Sequence, residues 1–189
     1  SEVLAHRLME DIVGPADALI DLHSGDVFES LTDHTGRYTA DDAEIDTLTA
    51  AMCEAFGLSF AVSYPRPAHP GSLTGNETLA GKAAMFVQVA ISYPRPTSIG
   101  TLSGTAVLTG TATVLVEVGG NGLASDDDVF RVFQGLINAL RALGVLGGLI
   151  PPAEVRWHEP GTRITAPSDG LWRSAVAAGQ QVQPGDTLG

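Results

Sequence analysis

The chain has 189 residues, 44% of them hydrophobic, which is enough to bury a core in one large or two small domains. Its formal net charge is −12 and Lys82 is its only lysine, which excludes the basic surface that nucleic acids and anionic membranes require. A single cysteine, Cys53, excludes an internal disulfide and a cysteine-based metal site. Because neither a signal pattern nor an apolar run of about 20 residues is present, we expect a cytoplasmic protein.

The first predicted elements are a helix and a buried strand. Apolar side chains spaced by three and four predict a helix over residues 2–13, which Gly14-Pro15 ends. The apolar run 18–23 predicts a strand, broken by residues 24–26, with its polar side chains at its carboxyl end. In open α/β sheets this edge is where ligands bind.

A second helix and strand follow in the same order. The helix is predicted over about 40–56, with Thr39 as its N-cap, acidic residues in its first turns and Gly57 as its end. The strand is predicted at 58–62. Alternation of helices and strands indicates the α/β class.

The strongest helix signal lies at residues 126–143. Ser125 and three aspartates begin this helix, and a wide apolar stripe predicts that it packs against a sheet. Glycines and prolines at 147–152 then form a linker. We therefore predict one α/β domain over 1–150 and a second, smaller module over 151–189.

The middle of the chain contains a tandem repeat. Residues 63–91 and 92–120 share thirteen of 29 aligned positions, including Ser-Tyr-Pro-Arg-Pro. Two copies are too few for a solenoid, so the duplication is interpreted as an added loop and strand. Gln88 occupies in the first copy the position of Glu117 in the second, and an amide cannot take a proton from water.

The first motif that could carry chemistry is Asp21-Leu22-His23. Side chains alternate along a strand, so Asp21 and His23 face the same way, and the carboxylate can sit close to a metal-binding imidazole. The alternative is a histidine at a strand end that is satisfied by a backbone carbonyl. The pattern alone is weak and leaves both interpretations open.

The second motif is Glu117 within the apolar strand that begins at Val114, followed by Gly119 and Gly120. A buried glutamate needs a partner, and the glycines allow the backbone to turn closely beside a ligand. Such a carboxylate is suited to act as a general base. The alternative is an edge-strand glutamate that points into water.

Together and in this order, the two motifs resemble the succinylglutamate desuccinylase/aspartoacylase family, of which this chain would be the C-terminal portion. The resemblance extends to Ala-Phe-Gly at 55–57 and to the long helix and the tail. It implies a carboxypeptidase-like mixed sheet flanked by helices. It also implies that His23 is a zinc ligand, Asp21 supports it, and Glu117 is the general base.

The resemblance further implies a reaction. Zinc would lower the pKa of a bound water and polarise an amide carbonyl, and Glu117 would carry the water proton to the leaving amine. The substrate would be a small N-acyl amino acid or a related amide. For the assembly, a homo-oligomer is one alternative.

The sequence departs from the family at the metal site. The family's first two zinc ligands come from a His-Gly-x-Glu motif far upstream, and nothing before Asp21 can supply them. In the loop expected after the His23 strand, His34 and Arg37 are candidate substrate-binding residues, since the guanidinium fork suits a carboxylate. The alternative function is therefore a non-catalytic binding or scaffold protein that lacks a complete metal site.

The tail, residues 166–189, resembles the first half of a biotinyl/lipoyl-type β-sandwich. Short alternating segments around Gly-x-x-Val and Gly-Asp turns are typical of such small barrels. A carrier role is excluded because the tail contains no lysine. In the resembling family this module covers the active-site region.

Overall fold

A computed structural model describes residues 2–27, 29–68, 101–162, 164–165 and 167–189. Within these ranges a single mixed sheet has the strand order β1-β4-β2-β3-β5. The strands are β1 (Ala18–His23), β2 (His34–Tyr38), β3 (Phe60–Tyr64), β4 (Ala112–Glu117) and β5 (Arg156–His158). The helices are α1 (Glu2–Leu8), which continues as a π-helical turn (Met9–Val13), α2 (Ala43–Phe56), α3 (Leu102–Leu108) and α4 (Asp126–Ala142). None of these helices is both long and apolar enough to cross a membrane.

The strand directions place β4 inside the sheet. It runs parallel to β1 and antiparallel to β2, while β3 is parallel to both β2 and β5. β4 comes late in the sequence, so its insertion between β1 and β2 joins segments about ninety residues apart. Tertiary pairing therefore decides what lies beside β4.

The main core lies between the sheet and helices α2 and α4. Met52, Cys53 and Phe56 of α2 pack with Val114 and Val116 of β4. Cys53 has no exposed surface, and burial raises the pKa of its thiol to about 12. The thiol therefore stays protonated and acts as a small apolar group, as its position in a predicted helix indicated.

A smaller core lies on the opposite face of the sheet, beneath α3. Tyr38, Ala40 and Val107 form it, and the Tyr38 and Tyr64 rings lie 5.1 Å apart between centroids. Because side chains alternate on β4, its valines face α2 while Glu117 faces the α3 side. The charged end of β4 thus stays out of the main core.

Local capping signals explain most helix boundaries. Ser125 and Asp128 form a capping box at the start of α4, and Gly57 ends α2 with a left-handed φ of 85°, both as predicted. The predicted cap of α2 was wrong. Asp42, not Thr39, is its N-cap and accepts hydrogen bonds from the amides of Glu44 and Ile45.

Four segments differ from the sequence-based expectation. The strand predicted at 58–62 spans Phe60–Tyr64, and residues 34–37 belong to β2 rather than to a loop. β5 follows residue 150 yet pairs with β3, so the sheet extends beyond the boundary predicted there. The described residues after 158 form turns and coil with no strand of a β-sandwich.

Candidate active site

His23 and Glu117 are direct neighbours at the carboxyl ends of two parallel strands. They are register partners on β1 and β4. Adjacent strands lie about 4.8 Å apart and paired residues point to the same face. The fold therefore brings the imidazole and the carboxylate side by side, although they are far apart in sequence.

Glu117 is also flanked on its other side. His34 of β2 is its antiparallel register partner, so His23, Glu117 and His34 form a row across three neighbouring strands. Glu117 is half-buried, and its strand lies inside the sheet. The edge-strand alternative for this glutamate is therefore wrong.

Asp21 connects His23 to helix α3. Its Oδ1 lies 3.0 Å from His23 Nε2, and its Oδ2 accepts a hydrogen bond of 2.7 Å from Ser103 Oγ. The Asp21 side chain is 12% exposed and that of His23 49% exposed. A carboxylate only accepts, so Nε2 carries the proton in this contact and Nδ1 is the nitrogen suited to a metal. Ser103, whose sequence context carries no signal of a site, completes this arrangement.

His34 is held as a neutral imidazole. Its Nδ1 lies 2.9 Å from the backbone oxygen of Thr32. Burial lowers the pKa of His34, outweighing the hydrogen bond to Thr32 and the charges of Asp33 and Glu29, which raise it. The site therefore offers an uncharged ring beside Glu117.

Arg37 is not brought together with His34. The two residues differ by an odd number of positions on β2, so their side chains face opposite sides of the sheet. Arg37 Nη1 donates a 2.7 Å hydrogen bond to the backbone oxygen of Asp46, and its guanidinium lies 4.9 Å from the Trp157 ring centre. Both contacts hold it on the α2 side.

Tyr64 also lies near Glu117, although the sequence analysis did not single it out as a site residue. Its ring lies over Gly36, where an added Cβ would stand 3.0 Å from the ring. Burial raises the pKa of Tyr64 to about 12, and the charges of Tyr38 and Glu117 add to this effect. A neutral phenol therefore lies near Glu117, and only its place in the repeated Ser-Tyr-Pro-Arg-Pro segment could have drawn attention to it.

Backbone hydrogen bonds join the loops that follow β1 and β4. Gly25 N donates to Gly119 O at 3.2 Å, and Val118 N donates to His23 O at 3.2 Å. A Cβ on Gly120 would lie 2.7 Å from the backbone oxygen of Glu29, so glycine permits this close approach. These contacts fix the strand ends that carry His23 and Glu117.

The loop before β2 is fixed to the same region. Asp33 Oδ1 accepts a 3.0 Å hydrogen bond from Gly119 N, and Asp33 Oδ2 forms a 2.6 Å ion pair with Arg131 of α4. The segment that enters His34 is therefore attached both to the loop after Glu117 and to a helix.

The described residues supply one clear donor for zinc. His23, oriented by Asp21, has the chemistry of a zinc-binding imidazole. Within the described ranges, no group of three or more histidine, cysteine, aspartate or glutamate residues is placed to hold a metal. A stable zinc site uses three or four ligands, so this part of the chain fits one corner of such a site.

Comparison with solved structures gives the same fold. A succinylglutamate desuccinylase/aspartoacylase from Rhodobacter sphaeroides matches with TM-score 0.72 and 22% identity, covering 99% of this chain and 49% of its own. A succinylglutamate desuccinylase from Silicibacter sp. TM1040 matches with TM-score 0.71 and 20% identity, covering 98% and 48%. The product-bound ectoine utilization protein EutE (DoeB) from Ruegeria pomeroyi matches with TM-score 0.60 and 18% identity, covering 82% and 39%.

These matches confirm the predicted resemblance at the level of the fold. The mixed sheet flanked by helices is the architecture shared with these family structures. The chain spans about two fifths to one half of their lengths. No protein-family model and no curated protein sequence matches this chain.

Proposed function

We propose that this chain is part of a zinc-dependent deacylase of the succinylglutamate desuccinylase/aspartoacylase family, which hydrolyses the amide bond of a small N-acyl amino acid or related amide. The observation that carries the proposal is the register pairing of Glu117 with His23 on one face of the sheet. A metal-binding imidazole and a general base must lie this close to act on one water molecule.

His23 would contribute one ligand to zinc through Nδ1, with Asp21 fixing the opposite nitrogen. Bound zinc would lower the pKa of water and polarise the substrate carbonyl. Asp21 is itself fixed by Ser103, so the imidazole orientation is set by a partly buried hydrogen-bond chain. Such positioning is what a ligand on a strand end requires.

Glu117 would accept a proton from the attacking water and deliver it to the amine nitrogen. The carboxylate is half-buried, and the uncharged side chains of His34 and Tyr64 lie on the same side of the sheet. Products are a carboxylic acid and an amine. Arg37 has no role in this proposal because its guanidinium lies on the other face.

The tail would belong to a small β-sandwich that covers the site. The support for its location is that a Cβ on Gly179 would lie 2.9 Å from Thr32 Oγ1, next to the His34 segment. We expect a cytoplasmic protein whose partners are small N-acyl substrates and not nucleic acid or membranes. A homo-oligomer is one alternative for its assembly.

Glu117→Gln tests this function. The substitution preserves shape and removes the base, so amine release from a panel of N-acyl amino acids with added zinc should fall about 100- to 10,000-fold. Zinc retention, measured by metal analysis after gel filtration, should remain unchanged. If residues 1–189 alone show no turnover, the same comparison is made in a chain extended upstream by a His-Gly-x-Glu segment. Inactivity of that extended wild-type chain would contradict the proposed function.

A non-catalytic binding protein is the second candidate. The observation in its favour is the lack of a three-residue metal group among the described residues. It predicts that Glu117→Gln changes neither ligand binding nor any activity. The contrasting result, a large loss of rate with zinc retained, eliminates this candidate.

A further inference from the structure

We propose that His34 recognises the nitrogen of the scissile amide, with Nε2 accepting a hydrogen bond from the substrate N–H, so that the site selects secondary amides over esters. This inference rests on the proposed function for the bond that is cleaved. The rest of its support comes from three features of His34. These are its tautomer, the contacts that hold the segment before it, and its position beside Glu117.

The tautomer of His34 follows from its contact with Thr32. A backbone carbonyl oxygen only accepts hydrogen bonds, so the Nδ1 atom 2.9 Å away must carry the proton. A neutral imidazole has one N–H, and burial keeps this ring neutral by lowering its pKa. Nε2 therefore bears a lone pair and can only accept.

The surroundings of the ring keep this arrangement fixed. The carboxylate of Asp33 is engaged by Gly119 N and by Arg131, so the acid adjacent in sequence is held by other groups. The segment before His34 also touches the tail, where Gly179 approaches the side chain of Thr32. The hydrogen bond from Nδ1 to Thr32 is therefore kept, and with it the tautomer that has its proton on Nδ1.

The position of His34 places it on the leaving-group side. Glu117 lies between His23 and His34, so a carbonyl directed toward His23 leaves the amide nitrogen on the side of His34. In hydrolysis, water oxygen bonds to the carbonyl carbon, the C–N bond breaks, and Glu117 transfers one water proton to the nitrogen. The nitrogen becomes a stronger donor as it gains this proton, so an acceptor nearby stabilises the transition state more than the ground state.

An ester presents an oxygen without hydrogen at the same position. It would place a lone pair against the lone pair of Nε2, and no hydrogen bond would form. The expected selectivity is therefore a property of His34 and not of Glu117, which serves either bond.

Nitrogen-15 NMR of the histidine side chains in the full chain tests the proposed tautomer of His34 and its hydrogen bond to the amide. We expect His34 to show a protonated Nδ1 and an unprotonated Nε2 at neutral pH. Adding N-acetylglycine should shift the Nε2 resonance, whereas the matched ester O-acetylglycolate should shift it much less. His6, exposed on α1 and 3.1 Å from Glu10, is the internal control and should respond to neither probe. A protonated Nε2, or equal shifts with both probes, overturns the proposal.

Two substitutions test the proposed selectivity for amides over esters. His34→Gln retains an acceptor oxygen near the position of Nε2, whereas His34→Leu removes it. We expect the ratio of amide to ester kcat/KM to fall roughly tenfold in His34→Leu and to recover largely in His34→Gln. An unchanged ratio in His34→Leu overturns the role of His34 even if the enzyme is active. If the upstream-extended wild-type chain hydrolyses no member of the N-acyl amino acid panel, the proposed function fails, and the NMR comparison still decides whether His34 distinguishes the probes.

Discussion

At the residue scale, the surroundings of Glu117 come from strands that are distant from it in sequence. β1 supplies His23, β2 supplies His34, and the end of β3 supplies Tyr64, whose pKa responds to the Glu117 charge. Two of these neighbours are held neutral by burial. The position of the Glu117 side chain relative to the His23 imidazole is therefore fixed by the order and register of these strands.

Ser103 is expected to stabilise the site through Asp21. Ser103→Ala removes the hydroxyl donor of the 2.7 Å hydrogen bond and leaves Asp21 Oδ2, in a largely buried carboxylate, without that partner. We expect the free energy of unfolding to fall by about 1–3 kcal/mol in urea titrations. Ser103→Thr is the matched control, since Thr74 occupies the same position in the first repeat. Equal losses in both variants would show that packing, and not the hydroxyl, is responsible.

His34 is expected to make stability depend on pH below neutrality. Its pKa is lowered in the folded protein, so the unfolded chain binds the proton first, and stability falls as the pH drops below the ordinary value of 6.5. The contribution is at most about 1.4 kcal/mol for each pH unit below that value. Urea unfolding at pH 7.5 and 5.5 should show a smaller loss on acidification for His34→Gln than for wild type. His158, whose pKa is also lowered, is common to both proteins and cancels in the difference.

At the element scale, helices α2 and α4 are in close contact at a glycine of α4. Gly135 of α4 is buried, and a Cβ built there would overlap the ring of Phe56 on α2. Glycine within a helix costs about 1 kcal/mol relative to alanine. Its presence here is explained by the close contact between the two helices that cover the sheet.

Gly135→Ala is therefore expected to destabilise the fold despite its better helix propensity. Overpacking against Phe56 should cost about 1–3 kcal/mol and outweigh the propensity gain, measured by urea unfolding. The double variant Gly135→Ala/Phe56→Leu should lose less than the sum of the two single losses, because the smaller side chain makes room for the methyl group. A stabilising effect of Gly135→Ala alone would contradict the packing seen between α2 and α4.

The elements differ in how well local sequence predicts them. α4 was predicted within one residue because its capping box and its apolar stripe are local signals. β2 was missed because its hydrogen bonds go to β3 and β4, and its residues His-Thr-Gly-Arg-Tyr alternate without a clear apolar face. The cap of α2 was misplaced because Thr39 and Asp42 are both good capping residues, and only backbone geometry distinguishes them.

At the scale of the whole molecule, the two repeat copies contribute to different parts of the sheet. The first copy supplies the end of β3, and the second supplies α3 and β4 with Glu117. The sequences explain why the second copy occupies α3 and β4. Its fully buried Ala106 and Thr111 correspond to Glu77 and Lys82 in the first copy, and burying either charge would be costly.

Deleting one repeat period tests this division. Removal of residues 64–92 joins Ser63 to Tyr93 and restores Ser-Tyr-Pro-Arg-Pro directly before α3. We expect this shortened chain to unfold cooperatively in urea and to keep its circular dichroism spectrum per residue. The matched deletion of residues 92–120 keeps Glu77 and Lys82 instead and should fail to fold cooperatively. Equal behaviour of the two deletions would contradict the assignment of the second copy to β4.

The sequence by itself determined the α/β class and the α4 boundaries, because periodicity and capping act within short segments. It also carries the two motifs behind the resemblance to a deacylase family, and that resemblance implied His23 and Glu117 as candidates. Tertiary structure alone decided that His23 and His34 flank Glu117, that Arg37 lies on the opposite face, and that Ser103 fixes Asp21. These relations depend on strand order and register, which are set by hydrogen bonds between segments far apart in the chain, and no local pattern encodes them.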